Sequence, residues 1–230
     1  MKKIFLILII GLLFLTGCEE KKNYGLEFKK EYEALNGTLN KTGKEHRTIT
    51  IDEDNPYIKT TSEEIVKMIN NNETFYLYVG DKLCPWCRSV LEKSIEMAKK
   101  YNTEKIYYID IWDDEGNEIL RDKYIYEEGN ITKTIEGKEE YQILLEKFDS
   151  VLSNYTIKDP DDNKIEVGEK RIYAPNYFYI KDGKVVKMIE GYSDKQKDSR
   201  EELTEEMLKD EEEQFESLFK LNETCSTGGC

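Results

Sequence analysis

Histidine is almost absent from this chain of 230 residues, with a single copy at His46, and cysteine occurs five times, at 18, 84, 87, 225 and 230. A metal centre built from several imidazoles is excluded, and any thiol chemistry must use one of these few sulfurs. Positive charge is also in short supply: 34 Lys and Arg against 48 Asp and Glu leave a formal net charge of −14. That balance argues against nucleic acid as a partner and against attachment to anionic lipid headgroups by charge. The four prolines and fourteen glycines do not gather into a linker, and no internal repeat is visible. The chain therefore reads as one domain with additions, since its length is marginal for two. No apolar run reaches the ~20 residues of a membrane-spanning helix. The run from Ile4 to Leu15 instead has the length of an export-signal core, preceded by the basic Lys2 and Lys3.

Directly after that run, Leu15-Thr16-Gly17-Cys18 resembles the lipobox of bacterial lipoproteins. The resemblance implies cleavage before Cys18, a signal peptide over residues 1–17, and diacylglycerol and an N-acyl chain on Cys18. Ordinary secretory cleavage near Gly17 or a short membrane anchor is the alternative. Buried acyl chains, at ~0.8 kcal/mol per CH₂, would hold the mature protein on the outer face of the membrane. With Cys18 assigned to lipid, the remaining cysteines form two local pairs, Cys84/Cys87 and Cys225/Cys230. In oxidising surroundings each pair can cycle or close on itself.

Leu83-Cys84-Pro85-Trp86-Cys87-Arg88 follows the apolar, aromatic run Phe75 to Gly80 and precedes a helical pattern. Cys84 is thereby expected at the first turn of a helix fed by a buried strand. Unpaired backbone N–H groups and the positive end of the helix dipole stabilise a thiolate there. Cys87, one turn on, is placed to attack a mixed disulfide. A purely structural disulfide is the first alternative, but a loop of about four residues removes little entropy from the unfolded chain compared with a longer one. Half of a zinc site is the second; the CX4C spacing of Cys225 and Cys230 fits structural zinc pairs poorly and His46 is remote in sequence.

The spacing predicts a polar tether over 18–46 with a helical segment from Leu26 to Leu35, and a short first strand over Thr48 to Ile51. Thr61-Ser62-Glu63-Glu64 has the form of a capping box before a helix carrying Ile65, Val66, Met68 and Ile69. Buried strands are expected at Thr74–Val79 and Lys105–Trp112, with a helix from Cys84 to about Tyr101 between them. Helices are expected at 117–126 and 139–152, and a loop or small hairpin around Asp159-Pro160-Asp161-Asp162. Strands at 176–180 and 184–189 are joined by Lys181-Asp182-Gly183, a strong tight-turn signal. Ser199 to Leu221 reads as a long charged helix with Leu203, Met207, Phe215, Leu218 and Phe219 on its apolar stripe.

Three features in this order resemble the thioredoxin superfamily over about residues 47–221. They are CPWC at a strand-to-helix turn, Tyr173-Ala174-Pro175-Asn176-Tyr177-Phe178 ahead of a strand, and the hairpin Lys181-Asp182-Gly183-Lys184-Val185-Val186. Together with the lipobox, the pattern is similar to thioredoxin-like lipoproteins of Gram-positive bacteria, a group that includes bacteriocin transport accessory proteins. The resemblance implies an α/β thioredoxin-like fold, a central mixed sheet flanked by helices, with a helical insertion at about 113–171. It implies Cys84 as nucleophile, Cys87 as resolving thiol, and a cis Pro175 presenting the Ala174 backbone to a substrate strand. Trp86 would flank the thiol as an apolar contact, and Arg88 would either favour the thiolate or be solvated. The departures are informative. Leu83 precedes the nucleophile, the inner dipeptide is Pro85-Trp86, and Tyr78 stands where thioredoxins place a buried Asp six residues before the nucleophile. Asp81 and Lys82 fall in the turn, so no proton acceptor for Cys87 is assigned. The inner dipeptide tunes a redox poise that spans roughly −270 to −120 mV in such proteins.

The function expected is a thiol–disulfide oxidoreductase acting on exported protein thiols and disulfides, reset by a membrane redox partner, and needing no cofactor and no metal. A non-catalytic accessory lipoprotein and a thiol-based metal carrier are the competing classes. The tail Cys225-Ser226-Thr227-Gly228-Gly229-Cys230 is a possible second redox pair on a flexible segment from 222 to 230, with a passive disulfide or a metal-binding tail as alternatives. The preceding helix would carry it ~33 Å along its axis, so exchange between molecules fits better than return to Cys84.

Overall fold

Residues Phe75–Gly80 are buried at every position, and the molecule is laid out around them. The computed structural model describes residues 23–113 and 117–223, so the expected signal, Cys18, Cys225 and Cys230 lie outside the described residues. In chain order the first half holds α1 (Tyr24–Glu33), β1 (Tyr57–Lys59), α2 (Ser62–Asn70), β2 (Phe75–Gly80), α3 (Pro85–Lys100) and β3 (Ile106–Asp110). There follow β4 (Lys123–Glu127), β5 (Asn130–Ile135), α4 (Glu139–Phe148), β6 (Ser153–Lys158) and β7 (Lys164–Arg171). The chain ends in β8 (Asn176–Lys181), β9 (Lys184–Ile189) and α5 (Glu205–Glu223).

Five strands form one mixed sheet in the order β1-β3-β2-β8-β9. β1 and β2 run parallel to β3, β8 is antiparallel to β2, and β9 returns antiparallel to β8. Helices cover both faces, which is why β2 is a continuous apolar run rather than an alternating one. Its pleat still sorts the side chains. Tyr76 and Tyr78 enter the core beneath α1, α3 and α5, while Phe75, Leu77 and Val79 enter the core beneath α2 and α4. On β8, Tyr177 and Tyr179 join the first core and Phe178 and Ile180 the second.

Several local signals act as expected. Thr61 caps α2 by accepting the Glu64 N–H at 3.3 Å. The β8–β9 turn places Asp182 and Gly183 at φ values of 50° and 68°, the left-handed pair that a tight hairpin requires. A side chain at Gly183 would also meet the Ile69 carbonyl at 2.3 Å.

Other expectations are corrected. Thr48–Ile51 is not a strand, although Ile49 and Ile51 are buried. Its backbone is satisfied by side chains instead: Asn36 bonds both the N–H and the C=O of Ile49, and Glu33 accepts the Ile51 N–H at 2.7 Å. The first strand is β1. Residues 117–126 are not helical; the segment holds a bridge between Trp112 and Glu118 and then β4. Its apolar spacing is overridden by the Glu128–Gly129 turn, both residues at positive φ, which pairs β4 with β5. The insertion is thus two hairpins, β4–β5 and β6–β7, with α4 between them, rather than a helical unit. The last helix starts at Glu205 instead of Ser199, because Arg47 donates to the carbonyls of Ser199 and Glu201 and holds that segment as a loop.

The segment expected to be a tether is, from Tyr24 onward, part of the folded body. Phe28 and Tyr32 of α1 are 2% and 0% exposed and pack into the core shared with α3 and α5. Arg88 fastens this segment to the start of α3. Its guanidinium, 0% exposed, donates to the carbonyl of Arg47 at 2.8 and 2.6 Å, to the Tyr32 carbonyl at 2.8 Å and to Asn36 Oδ1 at 2.7 Å. It is neither solvated nor a partner of the thiolate. Replacing it by Leu should strand these buried acceptors and cost about 3 kcal/mol or more. Arg88→Lys should restore little, because a compact ammonium cannot span three acceptors. Urea unfolding followed by circular dichroism measures both, and a loss below about 1 kcal/mol for Arg88→Leu would contradict this account.

Candidate functional site

The last residue of β2 is followed by a short turn and then by α3, whose N-cap is Cys84. Cap positions prefer Ser, Thr, Asp or Asn because their side chains accept a free N–H of the first turn. Here the sulfur takes that role, with the Cys87 N–H directed at Cys84 Sγ at 3.4 Å. Pro85 occupies the first helical position, where a missing N–H costs nothing. No acidic residue stands in that first turn to oppose an anion. The chain between β2 and the cap is fixed by Asp81, whose carbonyl accepts the Cys84 N–H at 3.2 Å and whose carboxylate accepts the Leu83 N–H at 2.7 Å.

The two thiols differ in environment: Cys84 is partly exposed and Cys87 is buried. The Cys84 thiol is held below its ordinary range, chiefly by a hydrogen bond from Cys87, with the backbone N–H groups of Cys87 and Trp86 adding to it. Burial pushes the Cys87 thiol well up, and the hydrogen bond it gives to Cys84 adds to the effect. The proton of the pair is therefore held more tightly on Cys87 than on Cys84. Asp81 is 4% exposed, and burial pushes its carboxyl up to about 7. Its charge is felt by both sulfurs. In the sequence Asp81 reads as a turn residue; its one hint is that a carboxylate follows directly on a fully apolar strand.

Across from Cys84 lies the segment that leads into β8. The Ala174–Pro175 peptide bond is cis, as the resemblance implies. The Ala174 carbonyl sits 3.4 Å from Cys84 Sγ. Trp86 packs on Tyr192, ring centroids 4.7 Å apart, and both rings are half-buried. Tyr192, just beyond β9, carries no signal in the sequence: it is one of sixteen tyrosines, and only the fold brings it to Trp86. Lys82 is engaged elsewhere, in an ion pair with Glu31 at 3.3 Å. A cavity of about 500 Å³ lined by Phe75, Tyr76 and Tyr107 opens at the opposite end of β2. Among the described residues, no group of three or more His, Cys, Asp and Glu side chains could hold a metal ion.

The site thus unites Cys84, Cys87, Trp86, Ala174 and Pro175, and adds Asp81 and Tyr192. Cys18, Cys225 and Cys230 lie outside the described residues. Comparison of the chain with known protein families and with curated proteins finds no match.

The Asp81 carboxyl has a stability signature. In the folded chain it keeps its proton up to about pH 7, whereas unfolded it releases it near pH 4. Folding therefore loses stability as pH rises from about 4 to 7, and the full cost is present above that window. Asp81→Asn retains an acceptor for the Leu83 N–H and cannot ionise. It should match the wild type near pH 4 and exceed it at pH 8 by roughly 4 kcal/mol, about 1.4 kcal/mol for each pH unit of the window. Equal stability differences at the two pH values, in urea titrations, would show that Asp81 ionises normally.

Proposed function

We propose that this chain is a thiol–disulfide oxidoreductase with a thioredoxin-like fold, anchored through lipid on Cys18 at the outer face of the membrane and acting on the disulfides of exported proteins. The observation that carries the reading is the pair of sulfurs at the start of α3: an accessible sulfur capping the helix, and a buried one behind it that holds the proton. The cis Pro175 facing that pair and the sheet order β1-β3-β2-β8-β9 support the fold assignment. The Leu15-Thr16-Gly17-Cys18 sequence supports the anchor. No helix among the described residues is long and apolar enough to cross a membrane.

The reaction follows from the proton arrangement. Cys84 thiolate attacks one sulfur of a substrate disulfide; that S–S bond breaks, and the departing substrate sulfur leaves as a thiolate and is protonated. Cys84 is now joined to the substrate, whose chain lies along Ala174 and against Trp86 and Tyr192. The Cys87 thiol gives its proton to the Asp81 carboxylate and attacks Cys84 Sγ. The mixed disulfide breaks, the second substrate sulfur leaves, and the chain holds a Cys84–Cys87 disulfide. The substrate has gained two electrons and the dithiol has lost them. Every step reverses, so the reduction potential relative to the membrane redox partner sets the direction.

The test separates the two sulfurs. At pH 7 iodoacetamide should label Cys84 at least about tenfold faster than free cysteine, because the thiolate is the reactive form. Cys87→Ser should accumulate a mixed disulfide with a scrambled substrate protein, and Cys84→Ser should abolish insulin reduction. Labelling at the free-cysteine rate together with unimpaired insulin reduction in Cys84→Ser would dispose of the proposal.

A further inference from the structure

Cys87 is walled in by tyrosines. Tyr32, Tyr57, Tyr78, Tyr108 and Tyr177 are each at most 1% exposed and share one core with the 0%-exposed Cys87. Their hydroxyls fall into separate groups. Tyr57 Oη is within 2.7 Å of Ser94 Oγ and donates to Tyr177 Oη at 3.2 Å, so these three satisfy one another. Tyr78 Oη instead lies 3.3 Å from Tyr32 Oη, and its hydroxyl draws the Cys87 thiol down against the effect of burial.

The ring of Tyr78 cannot easily turn away. It is stacked on Tyr177 at 4.5 Å and on Tyr108 at 5.3 Å, with Tyr57 edge-on at 5.5 Å. It also runs along β2 toward the thiols, because its hydroxyl occupies the space beside Gly80: a Cβ there would lie 2.2 Å from Tyr78 Oη. Gly80 is thus the residue that lets the phenol reach the end of the strand. A dry pocket disfavours a thiolate, and a donor aimed at the sulfur offsets that without adding a second negative charge. Burial keeps the Tyr78 hydroxyl protonated far above neutral pH, so it remains a donor wherever the pair works.

We infer that Tyr78 is the hydrogen-bond donor that stabilises the Cys87 sulfur as it loses its proton and attacks Cys84, and that Tyr32 is a positioning residue that orients the Tyr78 hydroxyl. The inference rests on the proposed oxidoreductase reading. In the step concerned the Cys87 proton passes to Asp81, the Tyr78 O–H bond stays intact, and the Cys84–Cys87 bond forms as the Cys84–substrate bond breaks.

A two-phase reaction with 5,5′-dithiobis(2-nitrobenzoate) tests it on the reduced full chain. Attack by Cys84 releases the first thionitrobenzoate, and attack by Cys87 on the resulting mixed disulfide releases the second. Tyr78→Phe should slow the second phase about tenfold at pH 7, the loss of one hydrogen bond to a charged group. It should also move that phase's pH profile to higher pH, since the Cys87 thiolate becomes harder to form. Tyr32→Phe should give a smaller shift in the same direction. A second phase in Tyr78→Phe that keeps the wild-type pH profile, whether or not it is uniformly slower, overturns the inference. Should Tyr78→Phe fail to fold, an unshifted profile in Tyr32→Phe does so. A wild-type first phase no faster than free cysteine would instead remove the oxidoreductase reading itself.

Discussion

A helix begins with four backbone N–H groups that have no partner within the helix, and in this protein the acceptor offered to them is a sulfur. Capping α3 with Cys84 brings its thiol under the influence of the Cys87 and Trp86 N–H groups, and it fixes where the sulfur must be. The surrounding structure maintains that one placement. β2 delivers the chain, Asp81 closes the turn through both its carbonyl and its carboxylate, Pro85 starts the helix, and Arg88 ties its first turn to two segments that come from far earlier in the chain. A change at any of these points reaches the sulfur through the cap.

The central strand explains the contrast between the two thiols. One face of β2 is lined with Phe75, Leu77 and Val79 and serves only packing. The other carries Tyr76 and Tyr78, and around Cys87 the core is apolar in bulk but studded with phenolic hydroxyls. Such a core lifts the buried thiol out of the neutral range while leaving hydrogen-bond donors within reach of it. Asp81 complements this arrangement: a carboxyl poised at about 7 can accept and return a proton near neutral pH.

The parts of the molecule legible in the sequence are those whose signal is local. The apolar run of β2, the CPWC helix start, the Thr61 cap and the Asp182–Gly183 turn each announce themselves within a few residues. Arg88 shows the limit: its type and position are plain, but its closest acceptors are backbone carbonyls and an amide from residues 32–47, which no spacing encodes. Thr48–Ile51 alternates like a strand, yet side chains of Asn36 and Glu33 take the hydrogen bonds a neighbouring strand would have supplied. In 117–126 two signals competed, and the Glu128–Gly129 turn prevailed over a helical spacing of Ile119, Leu120 and Tyr124. The raised carboxyl of Asp81 and the raised hydroxyl of Tyr78 come from burial, a property of the assembled core.

Docking of α1 changes the geometry of attachment. Because Tyr24 already begins a helix whose Phe28 and Tyr32 are locked into the body, a lipid on Cys18 would be joined to the folded protein by six residues. Fully stretched, that leash spans at most about 20 Å. The start of α1 would then stay within that distance of the bilayer surface, and the folded body could not swing free of it as it could on a long flexible stalk.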